Sequence, residues 1–396
     1  MKPTHKLLFV LCSIMVVVFI YYSSLKLHFT FWRHKTHVHK KPSVTLTVTN
    51  PKAVIITNAK VTTELDLDAA SKGRPGDSEE LEQQSTLDRK FSTTSAQQDN
   101  KLGGGACMRG HAATKIAAIF PKFTKPMPMF LDRNFRQYKE IRNYLPPFGV
   151  RSQEKIVDAI LTATKKYDLS PELQSLSCTK CVIVGNGGIL ANKSLGLRID
   201  AYDIVVRLNK APVKGYTRDV GTKTTMRITY PEGAFNKTEQ YEKNSLFVFS
   251  AFKPQDFKWL RQMIYGEKLR STEGYWKSVP NSLPKKPSEL RILNPYFFQE
   301  SAFKLIGLPL NNGLMGKGNI PTLGTVAITM ALHNCDEVDV AGFGYDLSTP
   351  QAPLHYYESV KMSAIKESWT HNISKEKEFL RKLVKADVIT DLTKGI

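Results

Sequence analysis

Residues 178–225 read CTKCVIVGNGGILANKSLGLRIDAYDIVVRLNKAPVKGYTRDVGTKTT, and this stretch decides the fold. Cys181-Val182-Ile183-Val184 is a short β-branched run, the signature of a buried strand. It ends in Gly185-Asn186-Gly187-Gly188, where missing Cβ atoms let the backbone turn sharply and come close to a ligand. A second strand runs from Asp203 to Leu208 and closes on Asn209. Strand, Gly-rich turn, helix and strand start a βαβ unit. Ligands in such sheets sit at the carboxyl ends of the strands, which is where Gly185–Gly188 and Asn209 fall. The turn is not a dinucleotide fingerprint. A G-x-G-x-x-G match from Gly185 requires glycine at Leu190, and Asn209 stands where an acidic ribose ligand would close the second strand.

Outward from this stretch, the same alternation continues. Strands are predicted at Met226–Thr229, Leu246–Phe252, Arg291–Leu293 and Val338–Ala341. A helix is predicted over Pro321–His333, starting on proline, with a second Gly turn at Gly342-Phe343-Gly344 beyond the last strand. An earlier helix is predicted with Ser152 as N-cap, Glu154 in its first turn, and Ile156, Ile160, Ala163 and Tyr167 on its core face. The fold class is therefore α/β with a mostly parallel sheet flanked by helices, beginning between residues 107 and 130.

The N-terminal quarter has a different character. Leu7–Leu25 is uncharged and mostly apolar, near the length that crosses a thin bilayer, and Tyr21-Tyr22 fits an interfacial belt. No small-x-small cleavage site closes it, so an uncleaved signal anchor is expected after a cytoplasmic tail of residues 1–6. Lys26, Arg33, Lys35, Lys40 and Lys41 follow the span against Lys2 and Lys6 before it, a bias that opposes this orientation. Three sequons, at Asn192, Asn236 and Asn372, argue for a luminal body. So do four cysteines beyond the span, Cys107, Cys178, Cys181 and Cys335, an even number suited to disulfides. Cys178-x-x-Cys181 has no partner pair with zinc-ligand spacing. Residues 26–106 are expected to form a largely disordered stem. Asp66-Leu-Asp68 lies inside it with no strand before it and reads as a solvated charge pair; no metal and no cofactor are expected. Residues 107–396 form the expected catalytic domain. With 56 Lys and Arg against 36 Asp and Glu, the formal charge is +20, which favours an anionic partner; an N-terminal anchor disfavours nucleic acid.

Four stretches carry the chemistry: residues 178–225, Pro321–Gly344, His355-Tyr356-Tyr357-Glu358, and His371 with Glu376. In this order they resemble the large, small, third and very-small sialylmotifs of animal sialyltransferases, over roughly residues 140–396. Leu145-Pro146-Pro147-Phe148-Gly149, Arg227–Gly233 and Ala364–His371 are similar to the α-2,3 branch of that family. The resemblance implies a Rossmann-like glycosyltransferase fold, a GT-A-like variant. It implies inverting, metal-free transfer of N-acetylneuraminic acid from CMP-sialic acid to the 3-hydroxyl of terminal galactose in Galβ1-3/4GlcNAc of glycoproteins. The expected setting is the Golgi membrane, as a single-pass type II protein with the catalytic domain in the lumen. Glycolipid or Galβ1-3GalNAc acceptors are the alternative, and a silent glycan-binding membrane protein is the rival from another class.

The resemblance also assigns residues. His371 is the general base and His355 a donor to the departing phosphate. Asn186 and Asn209 hold the nucleotide, with Thr322, Gly324, Gly342 and Gly344 around cytidine and Trp276 near the donor. Leu323 replaces a hydroxyl residue of the family pattern. Glu376 is read as a favourable charge in the first turn of a last helix, Ser374–Lys385. The implied disulfides are Cys181–Cys335, with Cys107 and Cys178 as the remaining pair. Asn192 and Asn236 are the expected glycosylation sites, since a glycan on Asn372 would crowd His371.

Overall fold

The structure is a computed structural model that describes residues 106–123, 126–269, 273–283, 285–311, 316, 318–366 and 370–396. The predicted tail, membrane span and Asp66-Leu-Asp68 lie outside the described residues, as does the stem but for residue 106. Among the described residues no helix is long and apolar enough to cross a membrane.

Among the described residues, seven strands form one sheet: β1 (Lys180–Val184), β2 (Ile204–Leu208), β3 (Met226–Thr229), β4 (Leu246–Phe249), β5 (Leu290–Ile292), β6 (Glu337–Ala341) and β7 (Thr390–Asp391). Their order is β5-β4-β3-β2-β1-β6-β7 and every pairing is parallel. The chain winds outward from β1 to β5 and then returns to lay β6 on the other side of β1. That reversal is a topological switch point, and the crevice it opens lies at the carboxyl ends of β1 and β6.

Both faces of the sheet are covered, which is why Cys181–Val184 in β1 and Leu246–Phe249 in β4 are continuous apolar runs. Cys181 and Ile183 pack into the larger core cluster; Val182 and Val184 point the other way into a smaller one. The principal helices are α1 (His111–Ile119), α2 (Glu154–Thr164), α3 (Gly196–Asp200), α4 (Pro254–Ile264), α5 (Leu323–Asn334) and α6 (Ile373–Lys385). Helix α5 is buried from Leu323 through Leu332, so it runs through the core rather than over it. Both disulfides are present. Cys181–Cys335 ties β1 to the C-cap of α5, and Cys107–Cys178 ties the segment before α1 to the approach to β1.

Three local expectations need correction. The N-cap of α2 is Gln153, and Ser152 sits in the left-handed region at φ 66°, where its hydroxyl cannot cap. The buried face of α2 is Val157, Ile160, Leu161 and Thr164, so Ile156 and Ala163 flank the core rather than define it. Helix α5 starts at Leu323 with Thr322 as its cap, leaving Pro321 one residue outside.

Candidate active site

A cavity of about 650 Å³ opens at the switch point. Its floor is made where two strands nearly touch. Gly185 N–H donates to Ala341 O at 2.7 Å, and Gly187 N–H to Gly342 O at 3.0 Å. A Cβ on Gly185 would lie 2.6 Å from Gly342 O, so the two turns can meet only without a side chain there.

Asn186 and Asn209 both line this cavity. The Oδ1 of Asn186 is buried and has no hydrogen-bond partner. Such a group is expensive to leave unpaired, and a bound ligand is what would satisfy it. Asn209 sits at φ 51°, a left-handed position asparagine tolerates better than most residues. Its backbone is held from both sides: its N–H donates to Ile228 O at 2.9 Å, and Arg227 Nη1 donates to its carbonyl at 2.8 Å.

The N-terminus of α5 faces the same space through Thr322, Leu323 and Gly324. Helix geometry leaves the first N–H groups without an intrahelical partner, a ready seat for an anion. Thr322 caps the helix, accepting from Thr325 N–H at 3.3 Å. Glu376 then does something its sequence position does not show. Its buried carboxylate accepts from Thr322 N–H at 2.9 Å, and also from the hydroxyls of Thr322 and Thr325. It is therefore a brace between α6 and α5, not a surface charge on a helix dipole. Burial holds its carboxyl above the usual carboxylate range, while His371 and the two threonines pull the other way.

His371 lines the cavity just before Asn372, the N-cap of α6, whose side chain accepts from Lys375 N–H at 3.0 Å. His371 Nδ1 lies 2.9 Å from Ile320 O. A carbonyl can only accept, so Nδ1 carries a proton, and in the neutral ring Nε2 is the nitrogen with the lone pair. His355 lines the cavity from another loop, pinned by Gly188 N–H to Leu354 O (3.0 Å) and Tyr356 N–H to Asn186 O (3.1 Å). Its Nδ1 pairs with Glu358, and its ring stacks on Tyr357 with centroids 5.4 Å apart.

Trp276 is 59 % exposed and lines the cavity, tilted against Tyr230 at 6.2 Å, so it is not a core residue. Gly344 does not line the cavity. At φ 85° it lies against the chain's end, where a Cβ would meet Gly395 O at 1.9 Å, and its absence of side chain serves that packing. Asn192 and Asn236 are exposed, whereas the Asn372 amide is occupied as a cap.

Residue-type reasoning did not single out Glu232 and Lys253, which lie in the cavity wall beyond β3 and β4. Lys253 Nζ is 2.7 Å from Glu232 Oε1 and 2.8 Å from Asp256 Oδ1. Burial pushes Asp256 up to about 6, against the pull of Lys253. Tyr345, also in the wall, is pushed up to about 12 by burial and by the nearby Glu376 and Glu358. The signal that could have found Glu232 and Lys253 is positional: each follows the carboxyl end of a parallel strand.

Residues 130–388 match the pattern of glycosyltransferase family 29 (sialyltransferase), and the chain belongs to that family; it is a glycosyltransferase. More particularly, it is 56 % identical over 392 residues to the CMP-N-acetylneuraminate-beta-1,4-galactoside alpha-2,3-sialyltransferase of Homo sapiens, covering 99 % of this chain and 98 % of the relative. The lactosylceramide alpha-2,3-sialyltransferase of Rattus norvegicus is 41 % identical over 295 residues, 73 % of this chain and 76 % of the relative. Among solved structures, a mammalian sialyltransferase in complex with Gal-beta-1-3GalNAc-ortho-nitrophenol superimposes with TM-score 0.54 at 23 % identity. It covers 73 % of this chain and 98 % of its own, which speaks to the shared fold.

Proposed function

We propose that this chain is a β-galactoside α-2,3-sialyltransferase that moves N-acetylneuraminic acid from CMP-sialic acid to the 3-hydroxyl of a terminal galactose. One observation carries the reading. On a chain 56 % identical end to end to such an enzyme, one cavity gathers Asn186, Asn209, the N-terminus of α5, His355 and His371.

The donor carries a phosphate and a carboxylate, and the cavity offers hydrogen-bond donors suited to both. The anionic end rests against the N–H groups of Leu323 and Gly324 at the start of α5, beside the Gly185–Gly188 turn. Asn186 Oδ1, orphaned and buried, takes a hydroxyl or amine donor of the nucleotide. In the transfer step His371 Nε2 accepts the proton of the galactose 3-hydroxyl as its oxygen bonds to the sialyl anomeric carbon. The bond from that carbon to the phosphate oxygen breaks on the opposite face, giving inversion, and the electron pair leaves with CMP. His355 donates to that phosphate, its ring held by Glu358 and Tyr357. The leaving group is an already ionised phosphomonoester, so these donors suffice without a metal. The galactoside acceptors are Galβ1-3/4GlcNAc ends of glycoproteins, and the setting is the Golgi lumen, reached by a signal anchor at residues 7–25.

The test incubates the chain with CMP-sialic acid and equal amounts of Galβ1-3GlcNAc, Galβ1-4GlcNAc, Galβ1-3GalNAc and lactosylceramide, with and without EDTA. Expected is α-2,3 product on the two GlcNAc-terminated acceptors, unchanged by chelation. Product only on the other two would discard the acceptor assignment, and loss with EDTA would discard the metal-free step.

A further inference from the structure

The missing acidic residue at the end of β2 has a counterpart one strand away. Glu232 follows β3 in the short 3₁₀ turn Pro231–Gly233 and is 3 % exposed, yet it lines the cavity. One carboxylate oxygen, Oε1, holds Lys253 at 2.7 Å. The other, Oε2, is buried with no hydrogen-bond partner. The adjoining Gly233 lies directly against Asn209, since a Cβ there would stand 2.5 Å from Asn209 Oδ1. Glu232 is thus next to the residue that closes β2.

The charges around it define what it can bind. Lys253 is the ammonium shared by Glu232 and Asp256, and it lies 4.9 Å from the Tyr275 ring centroid. Asp256 Oδ2 accepts from the N–H groups of Phe252 at 2.8 Å and Lys253 at 3.2 Å, while its Oδ1 has only the Lys253 ammonium beside it, at 2.8 Å. Lys210 and Lys277 also line the cavity, but Oε2 is itself a carboxylate oxygen, so a phosphate or sugar carboxylate is repelled from that atom. A neutral donor such as a hydroxyl is attracted, because it brings a hydrogen without a negative charge, and an unpaired buried carboxylate oxygen is costly. A plain structural ion pair would account for Oε1 but leaves Oε2 facing nothing.

We infer that Glu232 Oε2 is a donor-binding residue that accepts a hydrogen bond from a neutral hydroxyl of the CMP-sugar, doing from β3 what an acidic residue after β2 does in dinucleotide folds. The inference rests on the donor reading above. Three parts of the donor supply such hydroxyls, the ribose, the C4 position of the sialyl ring and the glycerol chain of the sialyl group, and the test separates them.

The full chain, purified in detergent, is titrated calorimetrically with CMP, 2′-deoxy-CMP and 3′-deoxy-CMP. Kinetics then compare CMP-sialic acid with one analogue lacking the sialyl C4 hydroxyl and another truncated in its glycerol chain, the KM for the first reporting a C4 contact. The wild-type chain should lose about tenfold or more with one of these analogues, as a buried charged group does when its partner is removed. A ribose contact shows in the deoxy-CMP arm, a glycerol contact in the KM for the truncated donor. Glu232→Gln should weaken the parent ligand and erase that same discrimination, with KM for the galactoside unchanged. Wild type that treats every analogue like its parent would overturn the inference without any variant. So would Glu232→Gln that keeps the discrimination, or that moves only the galactoside KM. Wild type that bound neither CMP nor CMP-sialic acid would overturn the donor reading itself.

Discussion

At the scale of single residues, burial decides which charges matter. Glu376 reads in sequence as one of several acidic residues early in a helix, and that position is legible. Its partners are not, because Thr322 and Thr325 lie more than fifty positions earlier and only the packing of α6 on α5 joins them. Glu376→Gln keeps the shape but turns one acceptor into a donor facing the Thr322 N–H. The expected cost is about 2–3 kcal/mol of stability, with a fall in turnover, since the anion-binding end of α5 loses its brace. Urea unfolding and kcat measure the two effects; a variant matching wild type in both would show the brace to be idle. Asp256 makes a pH prediction. Its folded value of about 6 lies above the ordinary 3.8, so the native state keeps a proton that the unfolded chain has released between those values. That contribution is fully present below about pH 4 and is lost as pH rises through about 6. Asp256→Asn removes the titration, so the stability advantage of wild type over the variant should shrink between pH 4 and pH 7, by up to about 3 kcal/mol. A difference that stays constant across that range contradicts the assignment.

At the scale of elements, sequence and structure agree where the pattern is strong. The β-branched runs at Val182–Val184 and Val205–Val206 place β1 and β2, and the Gly turn between Val184 and Leu190 falls where the strand ends. Strand β7 was out of reach, because Thr390–Asp391 is two polar residues with no period to detect, paired only because β6 offers it an edge. Ser152 was a fair candidate cap by residue type, and the left-handed backbone there is a tertiary effect that type alone does not encode. Within the site, the residues carried by motif resemblance converge on one cavity, apart from Gly344, which packs against the chain's end. Glu232 and Lys253 were passed over for a different reason: each follows the end of its own strand, a position that could flag them singly, but no spacing rule links the two. The disulfide Cys181–Cys335 spans 154 positions and holds β1 to the end of α5, the two elements whose other ends build the cavity floor and its anion seat. Cys335→Ser should cost about 4–5 kcal/mol if the bridge acts by restricting the unfolded chain. Urea unfolding of the oxidised proteins checks this, and equal midpoints with equal slopes would refute it.

At the scale of the whole molecule, one topological fact organises the chemistry. The chain reverses its winding between β5 and β6, and the crevice this opens at the carboxyl ends of β1 and β6 is where the turns, the two asparagines, the buried N-terminus of α5 and both histidines converge. The parts proposed to bind the donor are built on the sheet and α5, while His371 is delivered by the segment leading into α6 and oriented by the Ile320 carbonyl. In the proposed mechanism, donor binding and proton removal therefore belong to separable parts of one site. His371→Ala tests that division most directly, through paired measurements of sialyl transfer and of CMP affinity. The account predicts a transfer rate lower by about 10²-fold or more, as expected for loss of a general base, with the CMP Kd within about threefold of wild type. Transfer near the wild-type rate, or CMP binding lost together with transfer, would contradict it.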